Sequence, residues 1–513
     1  MAQTYREIES KYDVDEALSL PDLRGIAGVA AVQDPVEHDL VATYFDTADL
    51  RLAAARTTLR RRTGGQDAGW HLKLPLSNGD RQEVRSPLTR ATKTVPPALL
   101  GPIRAIVRDH PLVPVARVSS HRTAYRLLDA SGVILAEVSD DRVTAQALHP
   151  EGPVVGWREF EVELVDADPD EGGRELLSLL GDRLVEAGAR PAAGPSKLAR
   201  VLADRVKTRP TTLEGKISPK APAATVVAAH LREQVQALQA QDPRVREDQP
   251  DSVHKMRVAT RRLRSALATY RPLLDREVTD PLRGELAWLA GVLGAARDAE
   301  VMHDRLVGLI RDEPPELVRG PVASLVDREL TARYRSAHDT VLSELDGKRY
   351  FRLLDALDAL AAHAPFTAAA SRKAGDALPG RVAKVWKNLR HLARAAEHAP
   401  TTDEREHLLH EVRKTAKRAR YAGESLAPAF GAPAAAFAKG VTELQEVLGA
   451  HQDSVVTRAL LLELTAAAHA AGADTFAYGR LHALEQARAH DAEQAYAKAL
   501  KTASKKNLHR WLE

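Results

Sequence analysis

The sequence predicts an α+β chain in two parts: a strand-rich N-terminal region closed around a charged lumen, then an all-helical region with an internal duplication. Three observations carry this. Up to about residue 203, short alternating segments (REIESKY, TTLRRR, GWHLKL, RQEVRS, HRTAYRLLD, VILAEVSDD, REFEVELVD) are separated by Gly, Pro, Asp and Asn turn signals, as strands are. The stretch VKTRPTTLEGKISPKAPA, residues 206–223, is polar and proline-bearing and reads as a linker. Beyond it, Ala/Leu/Arg/Glu segments repeat apolar residues three and four apart, the period of a helix. The expected organisation is therefore 1–205, a linker at 206–223, and 224–513.

Composition narrows the chemistry. At 513 residues the chain exceeds one core, and 44% hydrophobic with 28% charged residues is an ordinary globular balance. With no cysteine there is no disulfide, thiolate metal site or cysteine nucleophile. Neither a signal-peptide pattern nor an uncharged apolar span is visible, so the expected location is cytoplasmic, without a membrane partner. A GxxxxGK[ST] loop is missing, which excludes a P-loop NTPase. The net charge of +3 divides unevenly: residues 1–205 carry −5 and the remainder +8. The two parts should meet different electrostatic partners, or one anion in different ways.

Residues two apart on a strand share a face. Glu7, Glu9 and Lys11 therefore point one way, and Ile8 and Ser10 the other. Glu159, Glu161 and Glu163 alternate with Phe160, Val162 and Leu164; Arg60 and Arg62, and Glu83 and Arg85, follow the same spacing. One such strand reads as an ordinary solvated face. Several strands with like charges side by side repel unless an opposite charge lies between them. Clustered carboxylates suit divalent cations, and clustered Arg and Lys suit phosphate oxygens. A closed barrel with a polar lumen and apolar outer faces accommodates both.

The ordered set Glu7-x-Glu9-x-Lys11, LRRR, WHLKL, EVR, HRTAYRL, AEVSDD, FEVEL and SKLAR resembles the CYTH domain of triphosphate tunnel metalloenzymes, over roughly residues 3–203. The resemblance implies an eight-stranded antiparallel tunnel with flanking helices that binds a triphosphate with Mg²⁺ or Mn²⁺. It places Lys11, Arg60, Arg62, Lys73, Arg85, Arg122 and Lys197 on phosphate oxygens. Glu7, Glu9, Asp141, Glu161 and Glu163 would hold metal or position water, with Glu7, Glu9, Lys11, Glu161 and Glu163 as the catalytic group. Glu83 would orient a basic neighbour, and Asp140 is the rival to Asp141, because a one-residue shift flips the face.

A second signal lies in the helical part. HKMRVATRRLR (residues 254–264) aligns with HEVRKTAKRAR (residues 410–420). His254, Arg257, Arg261 and Arg264 share their spacing with His410, Arg413, Lys417 and Arg420, and each set spans a sector of about 80° on a helix. Arg262 and Lys414 lie beside these stripes. Downstream, LAGVLGAARD and LQEVLGAHQD align Gly294 with Gly449 and Asp298 with Asp453, which marks an internal duplication of a helical bundle. Lys384, Lys387, His391 and Arg394 repeat the spacing without a leading histidine. No acid falls between His254 and Leu274, so the first stripe is uncompensated locally and favours a polyanion. Aromatic residues are only 4% of the chain, too few for base stacking, which points away from nucleic acid and toward a phosphate polymer without bases.

These stripes resemble the CHAD domain, over about residues 224–507. That likeness implies two four-helix bundles and a polyphosphate-binding groove lined by the basic residues, with Asp298 and Asp453 locking neighbouring Arg or His side chains. The combined expectation is hydrolysis of a triphosphate, most simply inorganic triphosphate, in the tunnel, with polyphosphate held by the helices and association with polyphosphate granules. The alternatives are a non-catalytic polyphosphate-binding protein, an adenylate cyclase and a thiamine triphosphatase.

Overall fold

The structure, a computed structural model, describes residues 3–76, 80–148, 150–165, 172–202, 205–206 and 216–513. The chain divides into two compact units, Met1–Arg209 and Pro210–Glu513.

The first unit is a curled antiparallel sheet. Its strands are β1 (Gln3–Glu7), β2 (Glu9–Val14), β3 (Ala31–Val32), β4 (Val36–Asp46), β5 (Thr58–Thr63), β6 (Gly69–Pro75), β7 (Arg81–Ser86), β8 (Val113–Leu128), β9 (Ile134–Leu148), β10 (Glu151–Leu164) and β11 (Arg190–Pro191). The pairing path runs β1-β7-β6-β5-β4-β8-β9-β10-β2-β11, with β3 on β8. Among the described residues eleven strands form where the resemblance implied eight. Two of the extra strands are the two-residue pieces β3 and β11. The third arises because the first strand is split at Ile8: β1 pairs with β7, and β2 pairs with β10. Opposite stretches of the strand path thus meet in residues 3–14.

Alternation then sorts side chains between two faces. Ile8, Tyr12, Val14, Phe160, Val162 and Leu164 form one apolar cluster with Leu176, Leu177, Leu180 and Leu184 of a covering helix, Arg174–Glu186. Leu59, Trp70, Leu72 and Val84 form a second with Leu99, Ile103 and Val107, from the short helices Pro97–Leu100 and Arg104–Val107 and the turn between them. The opposite face carries the charges. A third cluster joins Ala42, Tyr44, Ala116, Val118, Val143 and Ala145 to Leu198 and Leu202 of the helix Lys197–Leu202. Ala42 is the register partner of Arg62 and Tyr44 that of Arg60, so this helix seats on the charged face and carries Lys197 into it.

The second unit is helical. We number its principal helices α1 (Ala223–Arg246), α2 (Ser252–Thr269), α3 (Arg276–Asp312), α4 (Val322–Leu345), α5 (Lys348–Ala362), α6 (Pro379–Glu397), α7 (Thr402–Phe430), α8 (Ala432–Ala470) and α9 (Phe476–Ala503). The two aligned basic segments lie on α2 and α7, and the two LG-x-x-x-D segments on α3 and α8. Helix α2 packs on α1, α3 and α7. Leu306, Val326, Leu461 and Leu481 bring α3, α4, α8 and α9 into one apolar cluster. Packing therefore runs across the two sequence repeats.

Leu180 is fully buried against β2 and β10. Leu180→Ala should lower the stability of the N-terminal unit by about 3 kcal/mol in urea denaturation, the usual penalty for a leucine-sized cavity. A loss below about 1 kcal/mol would contradict this packing.

Candidate active site and a second cationic face

The inward face of the sheet encloses a cavity of about 320 Å³. Among the described residues, its wall carries nine Lys or Arg side chains and seven carboxylates, so neither sign dominates and charges must be matched locally. Of the residues expected from sequence, Glu7, Glu9, Lys11, Arg60, Arg62, Lys73, Glu83, Arg85, Arg122, Glu161, Glu163 and Lys197 all line it. Asp141 lies just behind the wall, fully buried. Asp140 faces away and holds Arg158 through two bonds of 2.8 and 2.7 Å.

Register explains the pairing. Lys11 is opposite Glu161 and Arg122 opposite Asp141. Lys11 Nζ donates to Glu9 Oε2 at 2.7 Å and also to Glu161. Arg122 grips both Asp141 oxygens at 2.7 Å and reaches Glu161 at 2.6 Å. Lys197 Nζ sits between Asp141, Glu159 and Glu161 at 2.8, 2.6 and 2.8 Å. On the other side Lys73 bonds Glu7, and Glu83 receives Arg85 Nε at 2.5 Å and faces His71 Nδ1 at 2.9 Å.

These partners set the charge states. Burial pushes the Glu9 and Glu161 carboxyls up, but Lys11, joined by Lys73 at Glu9 and by Lys197 and Arg122 at Glu161, more than reverses this. Both stay below the ordinary carboxylate range. Burial also works against the Lys11, Arg122 and Lys197 cations, yet their carboxylate neighbours raise all three above ordinary values. Glu163 behaves differently. Burial and the Glu7 carboxylate push it up to about 7, with Lys73 offsetting only part. Burial, Arg60 and Arg122 bring Arg62 down to about 9.

Two groups keep unsatisfied atoms. Arg60 has no carboxylate within ion-pair distance among the described residues; its guanidinium meets Tyr44 Oη at 3.4 Å, and its Nε is buried without a partner. Glu7 Oε2 is likewise buried without a hydrogen bond. A cation without an ion pair suits a phosphate. A free carboxylate oxygen beside the raised Glu163 suits a hard divalent ion bound through oxygen.

Asp141, Glu159 and Glu161 bring ligand atoms within 4.8 Å of one another and have the donors to hold a metal. Lys197 and Arg122 already supply positive charge there. A second donor set is Glu7, whose Oε2 is free while Lys73 bonds its other oxygen, the raised Glu163, and Glu9, which Lys11 holds through Oε2.

Sequence reasoning left out Arg81, Arg126, Glu137, Tyr44 and Asp67, all on the cavity wall; Glu159, which alternation put on the charged face without a role, holds Lys197 behind the wall. Arg126 and Glu137, paired at 3.4 Å, continue the alternation from Arg122 and Asp141, so the signal was present. Asp67 lies in the turn between β5 and β6, where alternation gives no signal.

In the helical unit, α2 and α7 bring the aligned basic segments together. Arg262 on α2 bonds Glu424 on α7 at 2.8 Å, and Tyr270 Oη meets Ser425 Oγ at 2.7 Å. Arg262 and Arg420 both lie over the Tyr421 ring, and Arg420 also pairs with Glu424 at 3.4 Å. The duplication recurs in the geometry: Arg257 lies 3.6 Å from Asp298, and Arg413 lies 3.6 Å from Asp453. Each guanidinium lies over the aligned glycine, Gly294 or Gly449, and each has a buried Nε without a partner. Lys417 is driven down to about 7 by burial, Arg261, Arg413 and Arg257. Burial and neighbouring cations likewise lower Arg264 and Arg418.

His254 is half-buried on the same segment, and His410 Nδ1 lies 3.1 Å from Gln452 Oε1. Lys414 pairs with Glu411 on the exposed side of α7. Lys384, Lys387 and Arg394 are exposed along α6, and no ion pair among the described residues joins them to the α2–α7 face. Among the described residues no helix is long and apolar enough to cross a membrane.

Comparison with known proteins agrees with this division. Residues 5–187 match the CYTH domain model and residues 229–462 the CHAD domain model. Two Mycobacterium tuberculosis sequences, the uncharacterized proteins MT2285 and Rv2226, are 41% identical over 511 residues, covering 97% of this chain and 96% of theirs. Among solved structures, PptA from Streptomyces chartreusis is 22% identical with a TM-score of 0.46, over 55% of this chain and all of that one. The CHAD domain from the plant Ricinus communis is 26% identical with a TM-score of 0.42, over 56% and 94%. A putative adenylyl cyclase from Hippeastrum with a dominant triphosphatase activity is 20% identical with a TM-score of 0.24, over 39% and 95%. The chain belongs to the CYTH–CHAD fusion proteins, with a domain of the triphosphate tunnel metalloenzyme superfamily followed by a conserved-histidine helical domain.

Proposed function

We propose that the CYTH domain is a closed tunnel that hydrolyses inorganic triphosphate with a divalent metal, and that the CHAD domain binds inorganic polyphosphate and tethers the enzyme to polyphosphate deposits. The observation that carries this reading is that the cavity leaves polar atoms of both signs unsatisfied: the Arg60 guanidinium, with no ion pair among the described residues, on one side, and Glu7 Oε2 beside the raised Glu163 on the other. Such a wall is completed by an anion and a cation bound together. Tyr44 and His38 are the sole ring side chains among the described lining residues, and Tyr44 is engaged by Arg60, so a base or thiazole finds little to stack on. This favours inorganic triphosphate over ATP cyclisation or thiamine triphosphate.

In the proposed reaction Arg60, Arg62, Arg122, Lys11, Lys73, Arg85 and Lys197 hold phosphate oxygens and offset the charge that builds on the leaving diphosphate. Glu7, Glu9 and Glu163 would hold Mg²⁺ or Mn²⁺, with Asp141 and Glu161 fixing Arg122 and Lys197. Bound there, the metal would neutralise nonbridging oxygens and make water a better nucleophile. A water oxygen bonds to the terminal phosphorus as the anhydride bond breaks, giving orthophosphate and diphosphate. Glu9 keeps Lys11 aimed into the cavity. In the second domain Arg257, Arg261, Arg262, Arg264, Arg413, Lys417 and Arg420 would grip the polymer, with His254 and His410 at the start of each segment. Lys384, Lys387, Arg394 and Lys414 form more exposed contacts.

Purified protein should release orthophosphate from inorganic triphosphate with Mg²⁺ or Mn²⁺ faster than from ATP, thiamine triphosphate or long-chain polyphosphate. Glu9→Gln should slow this by about 100-fold, the order seen when one preorganised charge is lost. Failure to release phosphate from any of these, with polyphosphate still bound, would favour the non-catalytic reading; cyclic nucleotide from ATP would favour the cyclase.

Lys417 generates a pH dependence. Below about 7 it is charged and attracts the polymer; above that it loses its proton, so polyphosphate affinity should fall between pH 6 and 8.5, and Lys417→Gln should flatten the profile. The sign for stability is opposite. The unfolded lysine keeps its proton to about 10.5, so without polymer the folded unit gains stability as pH rises from about 7 toward 10.5. Titration calorimetry across pH, with thermal melts of the unliganded protein, checks both; affinity that rises with pH would contradict the assignment.

A further inference from the structure

The turn between β5 and β6 inserts a carboxylate into the cavity. Asp67 lines the wall and forms an ion pair with Arg62, itself buried and inward-facing. The turn is held on both sides. Gly64 has φ +83°, and a Cβ there would fall 1.9 Å from the Asp39 carbonyl oxygen, so the chain presses against β4. On the other side His71, almost fully buried, places Nε2 2.9 Å from the Asp67 carbonyl oxygen and Nδ1 2.9 Å from Glu83. Arg62 is thus occupied by a side chain delivered from a fixed turn. Lys11, Lys73, Lys197, Arg85 and Arg122 are also paired, but with residues of the strands that build the wall.

We propose that Asp67 is an affinity-setting residue, an internal competitor for Arg62 that any phosphate using that guanidinium must displace. This rests on the tunnel reading above. Because Asp67 is tethered, its effective concentration at Arg62 is high, and a small anion free in solution competes poorly with it. An anion already held at Arg60 and Arg122 gains a comparable intramolecular advantage. The competitor therefore weakens every ligand that uses Arg62. A triphosphate with many contacts remains bound, while the shorter product, diphosphate, falls to an affinity at which it leaves. His71 acts as a positioning residue, since it fixes the turn that carries the carboxylate.

Steady-state hydrolysis of inorganic triphosphate by the full chain tests this, with diphosphate as competitive inhibitor. Asp67→Asn should lower both KM and the diphosphate inhibition constant by about tenfold, the scale of one released, partly desolvated ion pair. Asp67→Glu, which keeps a carboxylate within reach, should stay near the parent values. Glu16→Gln removes one negative charge at the exposed Arg142 pair and should change neither constant, which controls for net charge. Thermal melts confirm that each variant is folded. A purely structural Asp67 would raise KM on substitution, so unchanged or raised constants in a folded Asp67→Asn protein would overturn the inference alone. Absence of turnover in the parent protein would overturn the tunnel reading and this inference with it.

Discussion

Charge matching inside the curled sheet is the constraint on which the first domain depends. Sixteen ionisable side chains share a cavity of about 320 Å³ only if most of them lie against an opposite charge. The strand register supplies that arrangement: Glu161 is opposite Lys11, Asp141 opposite Arg122 and Glu83 opposite Lys73. The apolar half of the alternation makes it sustainable, since Phe160, Val162, Trp70 and Leu72 bury outward under covering helices and hold the register that aims the charges inward. The matching stops at Arg60 and at Glu7 Oε2, and these are the atoms that the proposed ligand and metal would complete.

The helical domain manages like charge in another way. Its cations lie on two helices that face each other, and a few acids, one on α7 and two on the helices that follow each stripe, prevent them from repelling outright. Glu424 serves both Arg262 and Arg420, while Asp298 and Asp453 serve Arg257 and Arg413. The compensation is partial, and Lys417 registers the remainder in its lowered proton affinity. On the proposed reading, a flexible polymer would lie along such a face and a short triphosphate in the cavity.

Much of this was legible in the sequence because period-two and period-3.6 patterns say which side chains share a face. The shared direction of Glu7, Glu9 and Lys11, and of Glu161 and Glu163, follows from alternation, whereas the choice of Asp141 over Asp140 came from the family resemblance. The missing pieces have physical reasons. The two-residue strands β3 and β11 are too short to show a pattern, and the break at Ile8 is a change of pairing partner, which composition does not record. Asp67 and Glu424 act through contacts fixed by the fold. The Lys384, Lys387 and Arg394 stripe shows the limit of helical spacing: it places residues on one side of α6 without saying what that side faces.

The most direct test is a crystal structure of the full chain with Mn²⁺ and a non-hydrolysable imidotriphosphate, with the metal located by its anomalous signal. The account predicts a phosphate group on Arg60 and manganese bonded to Glu7, Glu9 and Glu163, with Lys197 still among Asp141, Glu159 and Glu161. A triphosphate bound outside the cavity, or manganese in place of Lys197, would contradict it.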